Sequence, residues 1–219
     1  MITENYVTFF KALEKNNHKE WFHANKQAYE QDVKQPFLDL LEALLPDLLS
    51  LDEAISGNSK EALFRINRDI RFSKDKTPYH TLMKASLAPG GKKSNLPGFY
   101  LGISAYSIHV GGGMLQLKTP ALKAIRAAIA DRTETFLTVV TADPFVNKFG
   151  ELKGESAKRI DKEFRVTLEK TPLIALKQFY AMSEFPLEPY LNSNQIQTMI
   201  LDCFKAIHPL NQFLKSALQ

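Results

Sequence analysis

The amino-acid sequence predicts an α+β fold in which a mostly antiparallel central sheet is flanked by N-terminal and C-terminal helices. Apolar residues recur at helical spacing near both ends of the 219-residue chain. The middle of the chain instead contains short alternating segments separated by glycine and proline, which is typical of strands joined by turns. Helices before and after a block of strands favour this class over a doubly wound parallel sheet.

The N-terminal region predicts consecutive helices. Thr3 can cap a first helix, and Asn17, with Glu20 three residues later, is predicted to cap a second. Pro36 breaks or restarts this second helix. An apolar stripe then continues until residues 47–58, which are expected to form an exit and a loop.

The central region begins with a predicted strand over Leu63–Phe72, where apolar and polar residues alternate. Arg68 falls on the apolar parity, so either a turn interrupts the strand there or this arginine points into a partly buried place. We therefore expect Arg68 to be the most buried arginine of the motif, paired with Asp69 or Asp75.

Three further strands are predicted around residues 82–88, 99–104 and 107–111. The glycines at positions 111–113 are expected to close this block of strands as a bulge or a tight exit.

The C-terminal half returns to helical patterns. Helices are predicted to start at Thr119-Pro120, Thr133 and Asp143-Pro144, and a late strand is predicted at residues 179–182. A closing helix has a clean apolar stripe formed by Ile196, Met199, Ile200, Cys203, Phe204 and Ile207. With no repeat and no low-complexity linker, residues 1–219 are interpreted as one domain.

Cysteine usage and hydropathy predict a cytoplasmic protein. The chain has one cysteine, which excludes an intrachain disulfide and suits a reducing compartment. Its first residues lack the basic stretch and apolar run of a signal peptide. No apolar run approaches the roughly 18 residues of a membrane helix, so no membrane partner is expected.

The excess positive charge is concentrated in one segment. Residues 60–84 contain seven basic and three acidic residues, a net charge of +4 that equals the net charge of the whole chain. Focused positive charge attracts anions better than the same charge spread evenly.

This segment predicts an anion pocket. Arginine forks match phosphate and carboxylate oxygens, so Arg65, Arg68 and Arg71 are candidate ligand contacts, with Asp69 holding a guanidinium in place. The alternative is a structural network with Arg68–Asp69 and Lys74–Asp75 pairs. The full set of candidate ligand-binding residues is Arg65, Arg68, Asp69, Arg71, Lys74, Asp75, Lys76, Tyr79, Trp21 and Lys26.

Trp21, Asn25, Lys26 and Tyr29 could together form a wet aromatic face that stacks a base or a sugar. The alternative is core packing with a lysine that reaches solvent.

Other chemistry is weakly indicated. Ser73 and Lys76 have the Ser-x-x-Lys spacing of a serine nucleophile, which requires a helix that Thr77-Pro78 argues against. The five histidines lack metal-ligand spacing and there is no cysteine cluster, so neither a metal nor a cofactor is expected. The alternative is a magnesium ion held by Asp69 and Asp75 through a substrate phosphate.

The stretch from Phe64 to His80 resembles the signature of an uncharacterised microbial family, catalogued as domain of unknown function 2461. Further matching pieces are Asn16–Lys26 with Tyr29, Pro36-Phe37, the glycines 111–113, and the Leu122–Ile129 helix with Arg126. The sequence departs from that pattern at Asn67, where a tyrosine-like residue is expected, and at His80, where lysine is expected. This family has no established activity, so the resemblance implies no catalytic residue.

Two function classes remain, and whether the protein is an enzyme stays open. One is binding or processing of a phosphate-bearing ligand or nucleic acid by the Arg65–Tyr79 segment, which we expect to line a cleft. The other is an enzyme on a small carboxylate or phosphate metabolite, with Asp69 or Asp75 as acid/base and an arginine clamp. A partner-binding structural module is a third possibility.

Overall fold

The structure, a computed structural model, describes residues 1–55 and 57–219. Nine helices lie within these residues: α1 Glu4–Lys15, α2 Lys19–Ala24, α3 Gln35–Leu51, α4 Ser59–Ala62, α5 Thr119–Asp131, α6 Thr133–Thr141, α7 Asp143–Phe149, α8 Arg165–Lys170 and α9 Gln195–Ser216. The strands are β1 Leu82–Leu87, β2 Gly98–Ser104, β3 Ser107–Met114 and β4 Phe179–Pro186. Short helical turns complete the described structure, including a π-helical segment at Tyr29–Lys34.

The four strands form one antiparallel sheet in the order β1-β2-β3-β4. Helices precede and follow these strands along the chain, which confirms the predicted α+β class. The glycines 111–113 do not close the strand block, because β3 continues through them to Met114. A Cβ atom at Gly111 would collide with the carbonyl oxygen of Ala181, so glycine is needed where the β4 backbone approaches.

The chain divides into two compact units. The first contains Met1–Lys92, Tyr100–His109 and Glu184–Leu201; the second contains Lys93–Phe99, Val110–Ser183 and Asp202–Gln219. The candidate residues of the basic motif, together with Trp21 and Lys26, all belong to the first unit.

The core of the first unit is rich in aromatic side chains. The apolar stripe of α1 buries Tyr6, Phe9, Phe10 and Leu13, as its helical spacing predicts. The buried Tyr6 hydroxyl donates a hydrogen bond to Ile103 O at 2.8 Å, and this bond satisfies its polar atom.

Helix boundaries in this unit differ from two predictions. His18, and not Asn17, is the N-cap of α2, and its side chain accepts a hydrogen bond from Trp21 N. Helix α3 continues to Leu51 through part of the region predicted as a loop, because its leucine stripe still packs into the core at Leu48.

The core of the second unit is built around Phe136, whose ring contacts those of Phe179 and Phe213. Helix α5 contributes the buried Arg126, whose guanidinium donates to three backbone carbonyls: Ile174 O, Ala175 O and Leu176 O at 3.0–3.3 Å. Arg126 therefore holds the end of a short helical turn in place.

The closing helix α9 confirms its predicted apolar stripe. All six residues of the stripe, from Ile196 to Ile207, are buried, and Cys203 among them is a packed free thiol. Within residues 1–55 and 57–219, no helix is both long and apolar enough to cross a lipid bilayer.

Candidate anion-binding site

Two extended segments, residues 63–68 and 78–85, form the backbone frame of the basic motif. Three hydrogen bonds of 2.8–2.9 Å join them: Phe64 N to Lys84 O, His80 N to Ile66 O, and Arg68 N to Pro78 O. The pairing forms only isolated bridges, so the strand predicted over Leu63–Phe72 is wrong. The chain turns away after Arg68, and the side chain of Phe72 is consequently 96% exposed.

Asn17 fixes this frame to the helical part of the unit. Its side-chain amide donates to Tyr79 O at 2.9 Å and accepts from Tyr79 N at 3.1 Å, as a neighbouring strand would. The Tyr79 ring stacks on Phe22 with centroids 4.0 Å apart. Asn17 is therefore a long-range backbone anchor instead of the predicted helix cap.

Arg68 closes the loop formed by residues 68–77, which we call the loop tip. Its guanidinium donates to Asp75 and to the Thr77 hydroxyl, and to Thr77 O at 3.2 Å. Its side chain is 22% exposed, whereas Arg65 and Arg71 are exposed. The prediction that Arg68 is the most buried of the three arginines, with Asp75 as a possible partner, is confirmed.

The carboxylate of Asp75 is held in its ionised form. The backbone N–H of Thr77, the guanidinium of Arg68 and the Thr77 hydroxyl all donate to it, and they lower its pKa to about 2.

Arg71 and Asp69 form a second pair at the loop tip. Arg71 Nε and Nη2 donate to the two carboxylate oxygens at 3.0 and 2.7 Å, and this guanidinium lowers the pKa of Asp69 to about 2. The alternative pairs predicted from sequence, Arg68–Asp69 and Lys74–Asp75, do not form. The turn at residues 69–71 directs Asp69 toward Arg71, and Asp75 turns back toward Arg68.

The remaining cations of the loop tip are exposed. Lys76 Nζ donates to Ile70 O at 3.0 Å, and Lys74 is exposed at the surface. The guanidinium of Arg71 lies 5.8 Å from the centroid of the exposed Phe72 ring. The loop tip thus presents one aromatic side chain among basic ones.

A pocket of about 370 Å³ lies beside the loop tip, and we call it the basic pocket. Its lining residues are Phe22, Lys26, Tyr29, Glu30, Lys34, Leu63, Phe64, Arg65, Ile66, Asn67 and Lys92. Of the segment Arg65–Tyr79, which was expected to line a cleft, only the first three residues line this pocket.

The charges of the basic pocket do not cancel. It contains four cationic side chains and one carboxylate, that of Glu30, which pairs with Lys34 at 2.7 Å. Lys92 Nζ donates to Leu63 O at 2.6 Å. Among the described residues, the side chains of Arg65 and Lys26 form neither a direct ion pair nor a hydrogen bond, and Arg65 acts on Asp69 only by lowering its pKa from a distance.

Two further basic groups lie near Arg65. Burial lowers the pKa of His80 to about 4, with smaller contributions from Lys84, Arg68 and Arg65. Burial and Arg68 also lower the pKa of Lys84. Lys84, Arg68 and Arg65 thus disfavour protonation of His80, and Arg68 disfavours protonation of Lys84. An anion placed here would favour the protonated forms.

Trp21 lies away from the basic pocket. It is half-buried, packs against Phe9 with ring centroids 5.5 Å apart, and lines a separate pocket of about 290 Å³ with Asn25 and Asp32. Lys26 and Tyr29 line the basic pocket instead, so the structure does not gather the predicted aromatic face into one surface.

Sequence reasoning left four basic residues out of the candidate site. Lys34 and Lys92 line the pocket from segments distant in sequence, and no local spacing signals their approach. His80 and Lys84 belong to the basic segment, but only the backbone pairing with residues 63–68 brings them beside Arg65.

In the part of the chain that the structure describes, no three His, Cys, Asp or Glu side chains are grouped as metal ligands.

No curated protein matches the sequence. A family model described as "Conserved hypothetical protein (DUF2461)" matches residues 5–213, a range that includes the anchor Asn17, the loop tip and every residue of the basic pocket. The chain therefore belongs to this family of conserved hypothetical proteins.

Proposed function

We propose that this protein binds a phosphate-bearing ligand at the basic pocket, with Arg65 and Lys26 as the cations that contact it. The observation that carries the proposal is the pair of unpartnered cations in a pocket whose only acid already has a partner. A guanidinium or ammonium forms charge-assisted hydrogen bonds with phosphate oxygens, which are stronger than neutral ones.

The lining of the basic pocket supports a ligand that is larger than a bare anion. A volume of about 370 Å³ falls in the range of small-molecule sites. Phe22, Tyr29 and Phe64 provide apolar surface, and Asn67 provides an amide that can both donate and accept. A phosphate attached to an organic group would use both kinds of lining.

The geometry favours binding over acid/base catalysis by Asp69 or Asp75. Both carboxylates have a pKa of about 2 and are hydrogen-bonded by arginine or backbone groups. A general base with so low a pKa accepts protons poorly at neutral pH.

The exposed Phe72 favours nucleic acid as a second candidate ligand. Single-stranded nucleic acids combine phosphate charge with bases that stack on aromatic side chains. A basic loop tip with one projecting ring offers both contacts, whereas a small phosphate-bearing molecule would use the basic pocket alone.

The proposal is tested by thermal shift and calorimetric titration with inorganic phosphate, pyrophosphate, nucleotides and short oligonucleotides. A ligand at a hundredfold excess over its Kd should stabilise the wild type by about 2.7 kcal/mol. Arg65→Gln, alone or with Lys26→Gln, should weaken binding by about 10- to 100-fold per residue, because each removes a charged hydrogen bond.

The matched control is Arg71→Gln, which removes the same charge from an exposed, already paired arginine. It should bind small ligands as the wild type does. Equal weakening by Arg65→Gln and Arg71→Gln would indicate a diffuse charge effect and reject the pocket. No response of the wild type to any of these anions would reject the function.

The same titrations separate the two ligand classes. If the ligand is single-stranded nucleic acid, affinity should rise with oligonucleotide length, and log K should fall by about 0.7 per contacted phosphate for each tenfold increase in salt. Phe72→Ala should then weaken oligonucleotide binding and leave pyrophosphate binding unchanged. If Phe72→Ala changes neither, the ligand is a small molecule.

A further inference from the structure

A hydroxyl, an imidazole and a carboxylate are aligned on the sheet within the first unit. Ser107 and His109 are two residues apart on β3, so their side chains share one face of the strand. The distance from Ser107 Oγ to His109 Nε2 is 3.0 Å. Glu184, on the neighbouring strand β4, has Oε2 4.0 Å from His109 Nδ1.

Hydrogen bonding at Ser104 fixes the direction of the Ser107 hydroxyl. Ser104 Oγ accepts the backbone N–H groups of Tyr106 at 3.1 Å and Ser107 at 2.9 Å. A serine oxygen has two lone pairs and one proton, so both of its acceptor positions are occupied. The proton of Ser104 is then free for donation, and Ser107 lies within reach, with Oγ at 3.1 Å and O at 3.3 Å.

With Ser104 Oγ already accepting two hydrogen bonds, His109 Nε2 is the protein acceptor within reach of the Ser107 proton. In this arrangement Nε2 is unprotonated, and the neutral ring carries its proton on Nδ1, which faces Glu184. The order of atoms is hydroxyl, bare Nε2, Nδ1–H and carboxylate, which is the tautomer that a general base for a serine nucleophile requires.

We propose that Ser107 is a nucleophile that takes acyl groups from esters, with His109 as its general base and Glu184 as a positioning residue. Ser107 Oγ forms a bond to the ester carbonyl carbon while its proton passes to His109 Nε2. The carbonyl–alkoxide bond breaks, and the imidazolium returns the proton to the leaving alkoxide as an alcohol. Water, deprotonated in turn by His109, then releases the acid and restores the serine.

The site is accessible to a substrate. Ser107 is half-buried, His109 is 29% exposed, and Glu184 is 64% exposed. Glu184 orients the imidazole ring weakly, because its carboxylate lies 4.0 Å from His109 Nδ1. We therefore expect turnover to be slow, and acylation of Ser107 is the step to detect. This activity does not depend on the basic pocket, and each proposal can fail without the other.

The full chain is treated with p-nitrophenyl acetate and, separately, with a fluorophosphonate probe, and the modified residue is located by peptide mass mapping. The wild type should release a burst of nitrophenolate and carry the acyl group on Ser107. Ser107→Ala should lose the burst, whereas Ser107→Cys should retain it. His109→Gln should slow acylation by about 100-fold, as expected for removal of a general base.

Two control variants, Ser86→Ala and His23→Gln, should be labelled like the wild type, because these residues lie outside the triad. Labelling of lysines alone, or Ser107 labelling that is equal in wild type and His109→Gln, would overturn the proposal. Circular dichroism of each variant separates loss of reactivity from loss of the fold, and Ser107→Cys keeps the test valid if Ser107→Ala unfolds.

Glu184 is tested by readouts that a merely structural role would not change. Glu184→Gln should lower the acylation rate at saturating ester and leave the half-saturating ester concentration unchanged. Nitrogen NMR of the wild type should find His109 protonated at Nδ1 and bare at Nε2. The opposite tautomer would reject the assigned proton direction and with it the general base.

Discussion

The loop tip and the basic pocket are both rich in cations, but they differ in what surrounds each charge. In the loop tip, Arg68 and Arg71 each have a carboxylate partner, and these carboxylates stay ionised down to a pH of about 2. In the basic pocket, Arg65 and Lys26 have no partner among the described residues. Arg65, Arg68 and Arg71 are therefore close in sequence but differ in role. The paired Arg68 and Arg71 shape the loop, whereas the unpaired Arg65, together with Lys26, is available to a ligand.

This difference limits what a charge count can predict. Of the seven basic residues in positions 60–84, two are arginines that form ion pairs with carboxylates of the same segment. The pocket gains charge from Lys26, Lys34 and Lys92, which lie outside that segment. Positive potential at a site depends on unpaired groups brought together by the fold, and not on the composition of one segment.

Tyr79 supports the backbone frame of both the loop tip and the basic pocket, so its substitution should lower the free energy of unfolding most. Tyr79 is buried and stacked on Phe22, so Tyr79→Ala should destabilise the protein by about 3–5 kcal/mol, as for other large aromatic deletions. Urea denaturation gives this value. Tyr79→Phe, which keeps the ring, is the control and should remain close to the wild type. A small effect of Tyr79→Ala would mean that the frame is held mainly by Asn17.

Arg68→Ala compared with Arg71→Ala tests the contrast between a buried and an exposed ion pair. Arg68→Ala should destabilise by about 1–3 kcal/mol, because it removes several hydrogen bonds from a largely buried guanidinium. Arg71 is 76% exposed, and its pair with Asp69 should contribute little.

Both variants are measured by urea denaturation at neutral pH and moderate salt. Equal effects of the two substitutions would contradict the assignment of Arg68 as the residue that closes the loop.

Acid titration should reveal the suppressed protonation of His80, which has no effect on stability at neutral pH. The pKa of His80 is about 4 in the folded protein, against an ordinary value of 6.5. The unfolded chain therefore binds a proton between these values that the folded protein excludes, so stability should fall as pH decreases from about 6.5 to 4.

His80→Gln should flatten this part of the stability curve, which is measured as Tm against pH. Pyrophosphate should also reduce the fall in the wild type, because a bound anion favours protonated His80. A curve that is identical in wild type and His80→Gln would indicate that folding does not lower the pKa of this imidazole.

Local sequence patterns predicted the helices and strands but missed contacts between residues that are distant in sequence. The stripe of α9 and the strands predicted around residues 82–88, 99–104 and 107–111 follow from periodicity and turn residues, although the last strand continues to Met114. The alternation of apolar and polar residues over positions 63–72 predicted a strand that does not form. This pattern cannot reveal that the chain turns back after Arg68. Asn17 satisfied the local rule for a helix cap, yet its amide bonds a backbone 62 residues away.

The candidate site was also predictable only in part, because the fold brings together residues that are distant in sequence. Arg65 and Lys26 were identified from the sequence, and the structure places both in one pocket. Lys34 and Lys92 reach that pocket through tertiary packing. The direction of the proton at Ser107 depends on which atoms occupy the lone pairs of Ser104, and no residue pattern specifies that.

The irregular pairing of residues 63–68 also affects how the protein behaves at high concentration. Strand β1 is at one end of the sheet order, and such a strand offers free N–H and C=O groups to any other extended chain. Here Phe64 N already bonds Lys84 O, and the bridge between Leu63 and Ala85 occupies the same margin. These contacts leave β1 fewer free backbone groups on this margin for pairing with another chain.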